Sequence, residues 1–190
     1  NPGDLSWNPL ETLGDLTVYE RTPPQKVIER AVGAEAVLTN KTILDRATIA
    51  ALDTLQYIGV LATGVNVLDI RAANDHGVVV SNVRGYSTDS VAQMVFAHVL
   101  NLCQHVAEHA EGVRQGKWAN SSDFSYFDFP LVELKGLTLG IIGFGDIGSA
   151  VARVGQTFGM DIICHTRTPK DVPGVQFVEL DDVFSRADIV

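Results

Sequence analysis

Residues 137–148, Leu-Thr-Leu-Gly-Ile-Ile-Gly-Phe-Gly-Asp-Ile-Gly, join an apolar run to the glycine pattern G-x-G-x-x-G in a chain of 190 residues. The apolar run predicts a buried strand that ends at Ile142, and the apolar spacing of residues 146–158 predicts a helix. A second predicted strand, residues 161–164, completes a β-α-β unit. In that context the glycine pattern predicts a turn that holds the pyrophosphate of a dinucleotide.

Each glycine of this turn has its own predicted task. Gly143 permits the tight turn, Gly145 lets the backbone approach a phosphate, and Gly148 allows the helix to pack closely on the strand. The helix N-terminus adds free N–H groups and a partial positive charge. We therefore expect cofactor contacts from the whole loop: Gly143, Phe144, Gly145, Asp146, Ile147 and Gly148. A glycine-rich turn without a ligand is the alternative.

The residues after the second strand bear on the choice of cofactor. NAD-binding domains place a carboxylate there for the ribose 2′-hydroxyl. This chain has Thr166, Arg167, Thr168 and Lys170 instead. Because a guanidinium binds phosphate in a fork, this loop favours NADP over NAD. A solvated basic loop is the competing interpretation.

Strands and helices alternate along the rest of the chain, which predicts an α/β fold with parallel sheets. The remaining strands are predicted at residues 16–19, 36–39, 57–61, 78–80 and 177–178, and further helices at 25–34, 44–52, 69–76 and 180–185. Gly77 is expected to end the third of these helices. A longer helix is predicted to start with a capping box, Ser90 with Gln93, and to run to Gly112 or Gly116. An irregular segment, residues 118–129, carries five aromatic residues.

Composition excludes several classes of protein. The formal net charge is −9 and 46% of residues are hydrophobic. An acidic chain without basic runs is a poor ligand for nucleic acid or anionic membranes, and no apolar stretch is long enough to span a bilayer. Cys103 and Cys164 do not suggest a disulfide framework, so we expect a cytoplasmic protein. The first residues, 1–4, form a turn-like sequence without Met or signal peptide, and residues 187–190 look like an unfinished strand. We expect a fragment cut at both ends.

One pattern suggests different chemistry. His105, Glu108 and His109 read H-x-x-E-H, which on one helix face could bind zinc for hydrolysis. The polar face of a long helix explains the pattern better, and no metal site is predicted. The cysteines are expected to be small core residues.

Four segments, residues 61–69, 80–93, 116–118 and 137–148, resemble the D-2-hydroxyacid dehydrogenase family. Residues 123–130 are most similar to its glycerate dehydrogenase and hydroxypyruvate (glyoxylate) reductase branch. The resemblance implies a flavodoxin-like substrate lobe, residues 1–89, and a Rossmann lobe, residues 90–190, each incomplete at one terminus. It also implies an active site in the cleft and a homodimer built through the cofactor lobe and the aromatic segment.

The resemblance further implies roles for single residues. The backbone N–H groups of Thr63 and Gly64 would hold the substrate carboxylate, and Thr88 would contact the cofactor. Asp146 departs from the family, where many members have Arg. The catalytic arginine, acid and histidine would lie beyond Val190, so no catalytic residue is expected within residues 1–190. The implied reaction is hydride transfer between NAD(P)H and hydroxypyruvate or glyoxylate. A dinucleotide-sensing corepressor of the same fold is the alternative.

Overall fold

The computed structural model of the chain describes residues 5–190, so the turn predicted for residues 1–4 lies outside it. The chain divides into two compact units, the first ending at Arg84 and the second beginning at Gly85. Each unit contains a three-stranded parallel sheet. This confirms the predicted α/β class with parallel sheets. Within residues 5–190, no helix is both long enough and apolar enough to cross a membrane.

The first unit is built on a sheet with strand order β1-β2-β3, in which β1 is Ala36–Thr39, β2 is Tyr57–Val60 and β3 is Val79–Asn82. Its helices are α1 (Asn8–Glu11), α2 (Val27–Ala31), α3 (Arg46–Ala50) and α4 (Ile70–Asp75), with a 3-10 turn at Pro24–Lys26. Ile58 is fully buried in a core that joins the sheet to α2, α3 and α4. The three carboxyl ends of these parallel strands lie at one edge of the sheet.

Local capping explains where the short helices begin and end. The Asp45 carboxylate accepts from the backbone N–H of Thr48 at 2.8 Å and starts α3. Asp69 caps α4 in the same way through Ala72. Gly77 follows α4 with φ +71°, the left-handed conformation that glycine adopts without strain. The helix predicted at 69–76 and the stop at Gly77 are therefore confirmed, whereas the helix predicted at 44–52 is shorter because Leu44 pairs with Leu68 and Asp45 is the N-cap.

Two predictions in the first unit are wrong in detail. Residues 16–19 are not a strand: they are largely exposed, and no strand among residues 5–190 pairs with them. An alternating β-type sequence needs a neighbouring strand to satisfy its backbone, and here Tyr19 instead lies against the Arg30 guanidinium, 4.3 Å from the ring centre. The helix predicted at 25–34 is shorter because it begins as a 3-10 turn and ends at Ala31.

The second unit has strand order β4-β5-β6, formed by β4 (Thr138–Ile142), β5 (Asp161–His165) and β6 (Val175–Phe177). The helices α7 (Asp146–Thr157) and α8 (Leu180–Arg186) follow the first and third of these strands. Ile189 pairs in parallel with Leu139 on the other side of β4. The backbone N–H of Gly140 donates to the Ile189 carbonyl at 2.8 Å. Ile189 thus forms an isolated bridge to β4, within the segment predicted to open a strand.

The predicted long helix is two helices, α5 (Thr88–Gln104) and α6 (Val106–Arg114). His105 separates them with φ +47°, a left-handed conformation that is unusual for a residue other than glycine. The predicted capping box is also wrong. The helix begins at Thr88, so Ser90 lies inside its first turn, and the residue at the N-cap is Ser87, whose side chain makes no capping hydrogen bond.

Candidate functional site

The glycine turn joins the end of β4 to the start of α7. Gly143 has φ +97°, and its N–H donates to the carbonyl of His165, the last residue of β5, at 2.7 Å. Only glycine adopts this backbone conformation easily, so the turn depends on its identity. The hydrogen bond ties the carboxyl ends of the two neighbouring strands together directly beneath the turn.

Gly148 brings α7 against this turn. A Cβ atom at Gly148 would overlap the carbonyl oxygen of Gly143 and lie only 3.2 Å from the carbonyl carbon. A Cβ atom at Gly145 would meet nothing within 4 Å, so this position is open to an approaching group. Phe144 is buried and packs edge-on against Phe177, with ring centres 5.2 Å apart. The Phe144 side chain thus anchors the turn in the core, and Gly143 and Gly145 are exposed.

The N-terminus of α7 offers uncapped donors. Gly145 is the N-cap residue and no side chain caps the helix, so the N–H groups of Asp146, Ile147 and Gly148 have no intrahelical acceptor. They lie at the positive end of a 12-residue helix. Asp146 is exposed in this first turn. The outward glycine backbone and the uncapped helix end together fit a pyrophosphate group.

The predicted ribose loop leaves the sheet beside this turn. Ile142 and His165 are register partners at the ends of β4 and β5, so Thr166 follows within one strand spacing of Gly143. Thr166 is half-buried, whereas Arg167, Thr168 and Lys170 are exposed. Within residues 5–190, the structure gives Arg167 and Lys170 no ion pair or hydrogen bond. The structure therefore brings these residues to the same edge as the glycine turn and leaves their charges available.

The predicted carboxylate loop lies in the first unit, directly after β2. Thr63 donates its hydroxyl to the Val83 carbonyl at 3.0 Å, and Asn82 donates its side-chain amide to the Thr63 carbonyl at 2.7 Å. In the part of the chain that the structure describes, the N–H groups of Thr63, Gly64 and Val65 have no acceptor. Successive exposed N–H groups of this kind can bind a carboxylate.

Thr88 is the first residue of α5 and is half-buried. Its N–H makes a long contact of 3.4 Å with the Gly85 carbonyl. The structure places Thr88 at a helix N-terminus, which suits a contact with an anionic group.

Sequence reasoning missed two residues that hold these loops. Asn82 fixes the Thr63 loop, and His165 contacts both the glycine turn and the segment after β6. Both residues end a parallel strand, and that position was the available signal, because ligands bind at the carboxyl edge of open α/β sheets.

The H-x-x-E-H interpretation loses its geometric basis. The helix breaks at His105, so His105 and His109 do not share one continuous helix face. The ring of His105 stacks on Phe129 with centres 4.4 Å apart, and His109 Nδ1 donates to the His105 carbonyl at 2.9 Å. Among residues 5–190, no group of three His, Cys, Asp or Glu side chains could hold a metal ion.

The two cysteines are unpaired, and Cys164 is fully buried in the core of the second unit. Burial raises the pKa of the Cys164 thiol because it disfavours the thiolate. Cys103 packs partly buried against the same core. Both cysteines are therefore core residues, as expected.

The aromatic segment, residues 118–129, is irregular and folds against α6. The Tyr126 hydroxyl donates to the His109 carbonyl at 3.1 Å, and Lys117 forms an ion pair with Asp128 at 2.6 Å. Phe124 remains 93% exposed and Phe127 73% exposed. The segment is thus fixed at its base and apolar at its surface.

A β4-α7-β5 unit with this turn defines a dinucleotide-binding domain, and comparison with known proteins gives its family. Residues 96–190 match the family described as D-isomer specific 2-hydroxyacid dehydrogenase, NAD binding domain. The chain belongs to the D-isomer specific 2-hydroxyacid dehydrogenase family of oxidoreductases. This confirms the family given by the sequence resemblance.

Individual relatives match almost the whole chain. A hydroxypyruvate reductase of Blautia hydrogenotrophica is 39% identical over 196 residues, covering 100% of this chain and 61% of the relative. The solved structure of the TT0316 protein from Thermus thermophilus has a TM-score of 0.82 at 30% identity, covering 96% of this chain and 58% of that chain. The structure of an acyclic imino acid reductase in complex with NADPH and D-Arg has a TM-score of 0.79 at 26% identity, and the match covers 97% of this chain and 59% of that chain. The chain thus spans about 60% of the length of these relatives.

Proposed function

We propose that the full-length protein reduces a small 2-keto acid with NADPH or NADH, and that hydroxypyruvate and glyoxylate are its substrates. The products would be D-glycerate and glycolate. The similarity to a hydroxypyruvate reductase supports this substrate class. The glycine turn carries the proposal, because its open backbone and the uncapped end of α7 offer donors that suit a dinucleotide pyrophosphate.

The residues of this chain have defined tasks in the proposal. The N–H groups of the glycine turn would bind the pyrophosphate, and Thr88 would contact the cofactor. The free N–H groups of Thr63 and Gly64 would orient the substrate carboxylate, and Asn82 would hold that loop in place through the Thr63 carbonyl. When bound, the nicotinamide supplies the hydride that reduces the keto carbon. We place the arginine, the acid and the histidine of the reaction in the part of the full-length protein outside these 190 residues.

NADPH is the proposed preferred cofactor. The loop after β5 presents Arg167 and Lys170 without partners within residues 5–190, and two threonines flank the arginine. A guanidinium with a free fork can bind a 2′-phosphate through charge-assisted hydrogen bonds. Asp146, exposed in the first turn of α7, weakens this attraction because its carboxylate repels phosphate groups.

The test follows absorbance at the nicotinamide band in the purified full-length protein, with hydroxypyruvate or glyoxylate as substrate and NADPH or NADH as cofactor. We expect turnover with both substrates and a higher kcat/KM for NADPH. A preference for NADH would refute the 2′-phosphate assignment and leave the reductase assignment standing. Cofactor binding without turnover of any 2-keto acid would instead indicate the dinucleotide-sensing alternative.

The proposed assembly is a homodimer in which the aromatic segment contacts a second copy, and the proposed location is the cytoplasm. Exposed aromatic residues on a fixed base support the contact. Replacing Phe124 and Phe127 together by serine should shift the mass measured by light scattering from dimer to monomer. Leu13→Ser, at another exposed apolar residue in the first unit, is the control. A double variant that stays dimeric at low micromolar concentration would contradict this interface.

A further inference from the structure

His165 lies at a junction of three strand ends. Its carbonyl accepts from the Gly143 N–H at 2.7 Å, and its ring Nδ1 lies 3.2 Å from the Val178 carbonyl. One residue earlier, the Cys164 carbonyl accepts from the Val178 N–H at 2.9 Å. The last residue of β5 is therefore connected to the glycine turn on one side and to the segment after β6 on the other.

The contact between the His165 ring and the Val178 carbonyl determines which ring nitrogen carries the hydrogen. A backbone carbonyl can only accept a hydrogen bond, so Nδ1 must carry the hydrogen. The ring is half-buried and cannot turn away without leaving the Val178 carbonyl. This hydrogen bond thus fixes the side chain immediately before the ribose loop.

The loop itself has few restraints of its own. Within residues 5–190, no hydrogen bond joins residues 166–170 to the rest of the chain. The direction in which Thr166 and Arg167 leave the sheet is therefore determined at His165. A small rotation of that residue would move the Arg167 guanidinium relative to the phosphate turn, whose position is fixed by Gly143.

We propose that His165 is a positioning residue for the cofactor ribose: its ring hydrogen bond to Val178 sets the direction of the loop that selects between a 2′-hydroxyl and a 2′-phosphate. The proposal rests on the proposed function, because it assumes that a dinucleotide binds at this edge. It assigns a role to a residue that lies outside both the glycine turn and the ribose loop.

The test compares His165→Leu with His165→Asn in the full-length protein by calorimetry. Asparagine retains a donor close to the position of Nδ1, whereas leucine removes it. The probes are adenosine 2′,5′-bisphosphate, 5′-AMP and inorganic pyrophosphate. Pyrophosphate reports on the glycine turn alone. His98→Leu, at an exposed histidine of α5, is the matched control.

We expect His165→Leu to weaken the binding of adenosine 2′,5′-bisphosphate by roughly three- to tenfold, the range for one neutral hydrogen bond. Its affinity for pyrophosphate should stay within about twofold, and His165→Asn should restore the nucleotide affinity. In turnover assays the KM for NADPH should rise while kcat stays unchanged. If His165 only stabilised the fold, His165→Leu would weaken the binding of all three probes together.

Two results would overturn the proposal: unchanged nucleotide affinity in His165→Leu, or an equal loss of pyrophosphate binding. If the wild type binds 5′-AMP and the bisphosphate equally well, the NADP preference is refuted. The role of His165 would still be decided by comparing how much His165→Leu weakens nucleotide binding and how much it weakens pyrophosphate binding. If the wild type binds no nucleotide, the proposed function fails and this inference fails with it.

Discussion

Replacing Gly148 by alanine should separate α7 from the phosphate turn. The added Cβ would overlap the Gly143 carbonyl oxygen, and that oxygen belongs to the backbone, which cannot rotate away as a side-chain tip could. Restoring an ordinary contact requires the helix or the turn to move by roughly 1 Å, a shift of the kind that costs energy in a closely packed interior.

The magnitude follows from two opposing effects. Overpacking costs about 1–3 kcal/mol, and alanine returns up to about 1 kcal/mol of helix propensity relative to glycine. We expect a net loss of about 1–2 kcal/mol, which for a domain of about 100 residues lowers Tm by roughly 5–15 °C. A displacement of about 1 Å at the phosphates should lower kcat/KM by about 100-fold.

Gly145→Ala is the matched control, because its Cβ would meet nothing within 4 Å and its φ of −85° suits any residue. We expect no loss of Tm in Gly145→Ala but at least about a tenfold loss of NADPH binding, because the methyl group stands where the backbone must approach a phosphate. Calorimetry and cofactor fluorescence measure the two effects. Wild-type Tm and cofactor affinity in Gly148→Ala would refute the packing argument, and wild-type binding in Gly145→Ala would refute the placement of the phosphate.

Three further predictions concern single side chains. Arg167→Ser should lower kcat/KM for NADPH by about 10- to 100-fold without changing Tm, and NADH kinetics serve as the internal control; an equal loss with both cofactors would contradict the assignment. Hydrogen bonds from the Thr48 side chain and backbone lower the pKa of Asp45 in the folded protein. This cap therefore stabilises the folded state fully at a pH above the ordinary carboxylate pKa, and the stabilisation is lost as the pH falls through the lowered pKa of the folded state. Asp45→Ala should therefore lower Tm at pH 7 but much less at about pH 3, and an equal loss at both values would disprove this cap. Because burial raises its thiol pKa, Cys164 should resist a thiol reagent at pH 8 until the protein unfolds, while Cys103 reacts first; rapid labelling of both thiols in the native protein would argue against the core packing.

The parts of the fold that depend on local chemistry could be predicted from the sequence. Asp69 and Gly77 mark the ends of α4 through contacts within a few residues, and the glycine pattern stands between a predicted strand and a predicted helix, the context that a phosphate-binding turn requires. The strands 36–39 and 57–61 were predictable for the same reason, since short apolar runs between turn signals suit buried parallel strands.

The errors have a different physical origin. Residues 16–19 have a strand sequence, but a strand exists only when another strand satisfies its backbone. His105 breaks the long helix although nothing in its residue type requires a left-handed conformation; the stacking of its ring on Phe129 is a tertiary contact. Ser90 resembled a cap because Gln93 follows it at capping-box spacing. The helix nevertheless begins at Thr88, with Ser87 at the N-cap.

The candidate site, like the fold, was predictable where residues act through local backbone geometry. Gly143, Gly145 and Gly148 could be assigned from spacing, because each acts through its own backbone. Thr63 and Gly64 became candidates only through resemblance, since free N–H groups leave no mark in the residue types. His165 acts through a carbonyl 13 residues away, a partner that only the folded sheet supplies.

The break at His105 bears on the entropy cost of the proposed dimer. The aromatic segment folds back on α6, where Tyr126 lies so close to Gly112 that a Cβ there would be 2.5 Å from the hydroxyl oxygen. The backbone that carries its exposed phenylalanines is therefore held at Tyr126 and Asp128. A segment whose backbone is ordered in advance loses less conformational entropy on binding than a flexible arm. In the proposed dimer, more of the free energy from apolar contact at Phe124 and Phe127 would therefore appear as affinity.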